Sequence, residues 1–500
     1  MKKNTFFVDV LKATFILSMI LCGARIFGGV IAIFVAIMGV VFAIRRKFGH
    51  IAVCYMLFPV LLNFNHAIVK LDALMIFSLR IGNFFLMLVM ILLGSKFHRE
   101  RVSFFWLFAY CGVAFLSSID GWMPFISYMK LIQFVLFTIG IIVVMKGIQD
   151  ADDGLYYMRC FVMGLAIIFI VGGFGIRFFP SLGYSMMLGK YDSFGMDVSA
   201  DELMQSGGML LFNGMVCHSQ MLAPVTAIMA AWVLCDMILV EKRFSWLHIG
   251  VLMFAPILIY MSRSRGGLLE IVTVMGMVLF YCVPRARLIA QVKRWLWGWV
   301  ILMLLGLIGV AIVSEIKEQT ISRWIRKTEN VVGDSRSLGE AFTESRQGSI
   351  AYNLHDFKLN PFLGKGFQVV SDSESKYRAG EITWFYAPVE KGVTPYVILG
   401  ETGIIGALVF IVFLVSFYSA CLRRRYLTLM TMFTCMLVCN LADSTIFSPS
   451  GLGGFMWIMS CVGGFSIDLI SIRMAHGVWS YPEMRKVYSN DSNRSVAEWV

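Results

Sequence analysis

The feature that most constrains this chain is a succession of apolar runs, separated by short polar connections that carry lysine and arginine. A helix of about 20 apolar residues spans the hydrocarbon core of a bilayer, and many of the runs approach that length. Hydrophobic residues make up 58% of the chain and charged residues 15%, which excludes an ordinary soluble globular protein. Because backbone polar groups in lipid must be satisfied internally, we predict an all-α polytopic membrane protein with about 12 to 14 transmembrane helices.

The positions of the basic residues predict which connections face the cytoplasm. The net charge of +12 lies largely in clusters between apolar runs, which indicates membrane topology rather than nucleic-acid binding. Placing these clusters on the cytoplasmic side divides the chain into a bundle over 1–314, a long outer loop over 315–394, transmembrane helices over 395–474 and a cytoplasmic tail over 475–500. The 11 cysteines form no CxxC pair, so we predict neither disulfides nor a metal site.

The turn at 262–265 is the strongest polar signal inside the bundle. Its two arginines, Arg263 and Arg265, lie between long apolar runs and fall on the outer side, where arginine is least expected. A guanidinium that faces lipid costs several kcal/mol, so both side chains must reach a wet cavity or the membrane surface. Arginine suits phosphate through its paired N–H donors, which favours an anionic ligand. Contact with lipid headgroups is the alternative.

The outer loop at 315–394 is too polar for the bilayer and long enough to carry a functional site. Its cations include Arg323 and Arg346, and Arg346 is equally suited to a salt bridge within the loop. A helix is predicted to begin at 345 with Ile350, Leu354 and Phe357 near one face, and to end at the sequence Asn-Pro-Phe-Leu-Gly-Lys-Gly-Phe over 360–367. We expect this loop to lie over the outer mouth of the bundle as a lid.

Three stretches in this order resemble the O-antigen ligase and O-antigen polymerase superfamily. They are Ser-Arg-Gly-Gly at 264–267, the stretch at 360–367, and Leu-Gly-Glu-Thr-Gly-Ile-Ile-Gly at 399–406. The resemblance implies a C-type glycosyltransferase fold. It implies transfer of a glycan from undecaprenyl pyrophosphate to a saccharide or lipid-linked saccharide acceptor, on the periplasmic side of the bacterial inner membrane. It also implies that neither cofactor nor metal ion is used.

The resemblance assigns roles to several residues. Arg265 corresponds by motif to an arginine that binds the donor pyrophosphate, and Arg346, Arg263 and Arg323 are further candidate cations. Ligases of this superfamily usually carry a His-Asn pair before the last stretch, whereas this chain has Glu390 followed by Lys391. We therefore expect either that Glu390 is the base or that the pocket serves another acceptor. A solvated ion pair is the alternative interpretation of Glu390.

Three residues are predicted to support the site. They are Arg80, Glu401 and Tyr396, which lie in or near predicted spans. The alternative for Glu401 is that it satisfies a helix start. The alternative for Arg80 is that it pairs with a purely structural partner. Weaker candidates of the same kind are Arg25, Lys130, Arg177, Glu270 and Asp443. The missing histidine favours a polymerase of polysaccharide units over a ligase. A polysaccharide or lipid-linked oligosaccharide flippase is the alternative function, and it predicts two related halves.

Overall fold

The computed structural model describes residues 4–69, parts of 78–92, and 104–150, 154–187, 209–242, 245–262, 264–282, 338–369, 392–441, 444–449 and 451–475. Helices dominate it. They are α1 (Asn4–Phe27), α2 (Gly29–Ile44), α3 (Phe48–Asn63), α4 (Phe105–Ser117), α5 (Pro124–Asp150), α6 (Leu155–Phe178), α7 (Ser219–Cys235), α8 (Trp246–Met261), α9 (Arg265–Met277), α10 (Leu338–Leu359), α11 (Thr394–Arg424), α12 (Leu427–Cys439) and α13 (Leu452–Ala475). A π-helical turn extends α7 over Asp236–Glu241, and another extends α9 over Val278–Cys282.

Six helices, α1, α5, α6, α7, α11 and α13, are long and apolar enough to cross a membrane. Six further helices, α2, α3, α4, α8, α9 and α12, are apolar but shorter. The prediction of a helical membrane protein is confirmed at this level. Most exposed side chains of α1 and α2 are large and apolar, as lipid-facing helices require.

One antiparallel hairpin interrupts the helical pattern. Strand β1 (Tyr184–Met187) pairs with β2 (Met209–Phe212), and a turn then leads to α7 at Ser219. The sequence predicts a span over 209–240 with an outer extension. Strand β2 and a turn form that extension, and the helix itself begins at Ser219. A short apolar run suits a strand as well as a helix, and Gly214, with φ 58°, ends it.

The helices bring the polar connections together at two opposite ends of the bundle. At the Thr394 end, the Thr394 N–H donates to the Asn440 carbonyl (3.1 Å), and the Asn440 side chain accepts from the N–H groups of Thr445 and Ile446 (2.7 Å each). Asn65 at the same end donates to the carbonyls of Leu182 and Gly214, which ties the end of α3 to the hairpin.

The Arg424 end is closed by contacts between distant segments. The Asp468 carboxylate of α13 accepts from the main-chain N–H groups of Thr428 (2.8 Å) and Leu429 (2.9 Å), which caps the first turn of α12. Arg473 donates to the Gln149 carbonyl at 2.9 Å, which ties α13 to α5. Helix termini and connections at this end carry Arg45, Arg46, Lys47, Lys146, Lys242, Arg423, Arg424, Arg425 and Arg473.

Candidate functional site

Helix α11 is broken near its start. Gly403 has φ 62° and ψ −165°, a conformation outside the helical region that glycine alone adopts without strain. Such a break separates the carbonyls that precede it from the N–H groups that follow it. Inside a bilayer these groups require partners from the protein, because no water is present to replace the lost helical hydrogen bonds.

The turn at 360–367 fills this break with its own main chain. It follows α10 directly and lies against the interrupted part of α11. Four main-chain hydrogen bonds join the two: Lys365 N–H to Gly400 carbonyl (2.9 Å), Gly366 N–H to Glu401 carbonyl (3.2 Å), Ile404 N–H to Pro361 carbonyl (2.9 Å) and Ile405 N–H to Phe362 carbonyl (3.3 Å). The second and third stretches of the resemblance are therefore parts of one structure.

Glycines allow this close approach. Any Cβ at Gly364 would collide with the main chain of Glu401, and one at Gly403 would collide with that of Phe362. A Cβ at Gly400 would lie 2.8 Å from the Asn353 carbonyl oxygen. The sequence predicts that the glycines of 360–367 bring backbone close to something large, and the structure identifies it as α11.

The neighbouring helices α4 and α5 hold the turn from the other side. Ser117 Oγ donates to the Glu401 carbonyl and accepts from the Gly366 N–H at 3.0 Å. Ser118 Oγ accepts from the Phe367 N–H (3.3 Å), and Lys130 Nζ donates to the Gln368 carbonyl at 2.8 Å. The two serines are not among the sequence predictions, because serine at the end of an apolar helix is common and gives no distinctive signal.

Helix α10 enters the bundle alongside α11 and runs in the same direction. Successive contacts advance along both segments in the same order: Gly392 lies against Ser349, and Gly400 lies against Asn353. The turn after α10 then contacts Ile404. Helix α10 thus packs along the start of α11, and the turn that follows it lies between α4, α5 and α11; the prediction that the outer loop forms a lid stays a prediction. The predicted start of α10 at 345 is wrong, because the helix begins at Leu338.

The most deeply buried face of α10 is polar. Asn353 and Asp356 are each 1% exposed, whereas Ile350, Leu354 and Phe357 are only half-buried. The reason is that this face meets main chain and an indole rather than aliphatic side chains. Asp356 Oδ1 accepts from the Trp122 Nε1–H at 2.9 Å, a partner that the local sequence of α10 cannot reveal.

The first stretch of the resemblance begins α9. Ser264 Oγ caps this helix by accepting from the Gly267 N–H at 3.3 Å. Gly267 packs so closely on Ala223 of α7 that a Cβ would not fit. One turn further on, Glu270 is buried beside Cys435 of α12, with Sγ and Oε2 3.9 Å apart. Since α12 ends next to Asn440, the start of α9 lies at the Thr394 end.

The predicted site residues divide into three groups. Arg80, Arg263, Arg323 and Glu390 lie outside the described residues, and the predictions for them stay predictions. Arg265 is the first residue of α9 and Arg346 lies within α10, both described by their main chain. Tyr396 is partly exposed in the first turn of α11, and Glu401 is buried at the break. The alternative that Glu401 satisfies a helix start stays a prediction: α11 begins at Thr394 with Pro395 in its first turn, and its break at Gly403 lies two residues after Glu401.

A charged cluster at the Arg424 end is absent from the sequence predictions. We call it the inner quartet: Arg159, Asp236, Glu241 and His248. Arg159 Nε and Nη2 donate to the two oxygens of Asp236 (2.7 and 2.9 Å), and Nη2 also donates to Glu241 (2.6 Å). His248 Nε2 lies 2.7 Å from Asp236 Oδ2. Arg159 is 77 residues from Asp236, so no local pattern relates them.

The inner quartet is fully enclosed. The side chains of Arg159, Asp236 and His248 are completely buried, and the guanidinium of Arg159 lies 4.1 Å from the centre of the Phe6 ring. Charges removed from water in this way require close partners within the protein. Among the residues that the structure describes, no group of three or more His, Cys, Asp or Glu side chains is arranged to hold a metal ion. No protein-family profile, curated protein sequence or solved structure matches the chain.

Proposed function

We propose that this protein is a glycosyltransferase that moves glycan from a polyprenyl-pyrophosphate donor to a saccharide acceptor at the periplasmic face of the bacterial inner membrane. One observation carries the proposal. The turn at 360–367 is built into the break of α11, at the same end of the bundle as the start of α9 with Arg265. The three stretches that carry the resemblance, far apart in sequence, therefore gather at one end of a membrane bundle.

The orientation is part of the proposal. Basic residues cluster at the Arg424 end, and such clusters favour the cytoplasmic side. The Thr394 end then faces the periplasm. Six long and six shorter apolar helices among the described residues are compatible with about 12 to 14 spans once the rest of the chain is included.

The proposed chemistry is a single displacement. The acceptor oxygen attacks the anomeric carbon, the bond from that carbon to the pyrophosphate oxygen breaks, and the configuration inverts. Arg265, Arg346, Arg263 and Arg323 stabilise the negative charge on the departing pyrophosphate, aided by the positive end of the α9 dipole. Glu390 takes the proton of the acceptor hydroxyl.

Turnover of purified protein tests the proposal. In detergent with lipid-linked oligosaccharide from the producing cells, longer glycans indicate a polymerase, and a new acceptor conjugate indicates a ligase. Replacement of Arg265 by glutamine should lower the rate at least about 100-fold, because a fixed charge on the leaving group is lost. Arg424→Gln at the opposite end is the control and should leave the rate within a factor of two. An unchanged rate in Arg265→Gln contradicts the assignment.

A flippase is the second candidate, and the inner quartet is the observation that favours it. Buried ionisable residues within membrane helices often mark transport pathways or proton relays. The same preparation decides between the two functions. If no glycan product forms, while reconstituted protein moves the lipid-linked oligosaccharide across vesicle membranes, transport replaces transfer.

A further inference from the structure

Trp122 and Lys365 form a small platform at the Thr394 end, beside the break in α11. The indole of Trp122 is 37% exposed, and Lys365 Nζ lies 6.0 Å from the centre of its ring. We propose that this platform binds the head of the donor lipid: Lys365 contacts the pyrophosphate, and the first sugar stacks on Trp122. This inference rests on the proposed function and names the part of the protein that holds the sugar-pyrophosphate junction.

Both residues are fixed in place before any ligand arrives. The Trp122 N–H donates to the Lys365 carbonyl at 3.1 Å, and the Lys365 N–H donates to the Gly400 carbonyl at 2.9 Å. Asp356, itself buried, accepts the indole N–H at 2.9 Å and sets the plane of the ring. A site held by partners of this kind loses little entropy on binding, which favours affinity.

The ammonium of Lys365 is available to an anion. Among the residues that the structure describes, no carboxylate forms an ion pair with it, and the ammonium lies over the indole. A cation over an aromatic face is held weakly, so a charge-assisted hydrogen bond to phosphate can replace that contact. The flexible four-carbon stem allows the ammonium to turn from the ring to the phosphate and to uncover the indole.

The chemistry of both groups fits one ligand. The face of an indole carries partial negative charge, and one face of a pyranose presents C–H groups with partial positive charge, so the two rings stack. In a glycosyl pyrophosphate the sugar and the phosphate are directly bonded. An aromatic face next to a cation therefore matches the junction at which the proposed reaction breaks its bond.

Trp106 provides a matched control. It lies at the opposite end of α4, is 36% exposed, and packs edge-on against Phe105. If Trp122 were only an interfacial anchor of the kind common in membrane proteins, the two tryptophans would behave alike. The proposal requires that they differ in glycan binding.

The test measures the affinity of the full chain in nanodiscs for two probes: undecaprenyl pyrophosphate, and lipid-linked oligosaccharide purified from the producing cells. Lys365→Gln should weaken both probes about 10-fold, a loss near 1.4 kcal/mol, and Lys365→Arg should restore both. Trp122→Ala should weaken only the glycan-bearing probe, again about 10-fold. Trp122→Phe should retain most of that affinity, and Trp106→Ala should match the unmodified protein.

Each result has one meaning. If Trp122→Ala weakens both probes equally or neither probe, the sugar does not stack there and the platform is refuted. If Lys365→Gln leaves undecaprenyl pyrophosphate binding unchanged, the phosphate contact is refuted. When the unmodified protein binds both probes, those failures leave the proposed function intact. When it binds neither probe, the proposed function and the platform fail together.

Discussion

The two ends of the bundle join distant segments by different kinds of interaction. At the Thr394 end, the broken helix α11 is completed by main-chain hydrogen bonds from the turn at 360–367. At the Arg424 end, α6, α7 and α8 are joined through charged side chains, Arg159, Asp236 and His248. Main-chain contacts require small residues at a few positions, whereas buried charges require particular partners. The first arrangement tolerates side-chain change, and the second does not.

The largest expected effect is at the inner quartet. Asp236→Asn removes the carboxylate that contacts both Arg159 and His248 and should destabilise the protein by about 3 kcal/mol, because a buried ion pair is broken while Glu241 remains as the other carboxylate beside the guanidinium. The loss is measured as a shift in denaturant midpoint in detergent. The control is Lys12→Met, since Lys12 and Asp9 form an exposed pair at 3.5 Å and their separation should cost less than about 1 kcal/mol. Equal losses of stability in Asp236→Asn and Lys12→Met would show that burial does not increase the contribution of an ion pair.

The second prediction concerns the break in α11. Gly403→Ala forces a side chain into a conformation that only glycine adopts easily, and its Cβ would meet the Phe362 main chain. We expect a loss of about 2–3 kcal/mol, seen as a lower midpoint of thermal unfolding. Gly112→Ala in α4, where nothing lies within 4 Å of the added carbon, is the control and should be neutral or slightly stabilising. A neutral Gly403→Ala would contradict the break.

A smaller effect is expected at the start of α9. Ser264→Ala removes the side-chain cap on the Gly267 N–H and should cost about 1 kcal/mol. Ser245 precedes α8 in the same position but makes no side-chain cap, so Ser245→Ala should have almost no effect on stability. If the two substitutions have the same cost by chemical denaturation, the cap at Ser264 contributes nothing.

The smallest effect is a pH dependence at the Thr394 end. Burial lowers the pKa of His66, in the connection after α3, below its ordinary value of 6.5. The unfolded chain therefore binds a proton before the folded one, and stability should fall as pH decreases through about 6.5. His66→Gln should flatten this slope of unfolding free energy against pH. An unchanged slope in His66→Gln would contradict this assignment.

Most of the helical framework could be predicted from the sequence, because apolar length and basic connections are local properties. The glycines of 360–367 are local too, and they predict a close approach of the backbone to another element. Their partner in that approach was not predictable, since Ser117 and Trp122 lie more than 200 residues away in the chain. The inner quartet was missed for the same reason: Arg159 and Asp236 each sit singly within apolar helices. A local pattern shows that a polar group needs a partner, but only the fold shows which one.

The order of the chain imposes a sequence of events on biogenesis. Translation delivers the turn at 360–367 before the helix that it completes, and its N–H and C=O groups have no membrane-compatible partners until α11 is inserted. The segment must therefore stay in water and dock once α4, α5 and α11 are all in place. Assembly of this half of the molecule is late, and a ribosome-bound chain that stops before α11 should leave Trp122 and the turn accessible to protease.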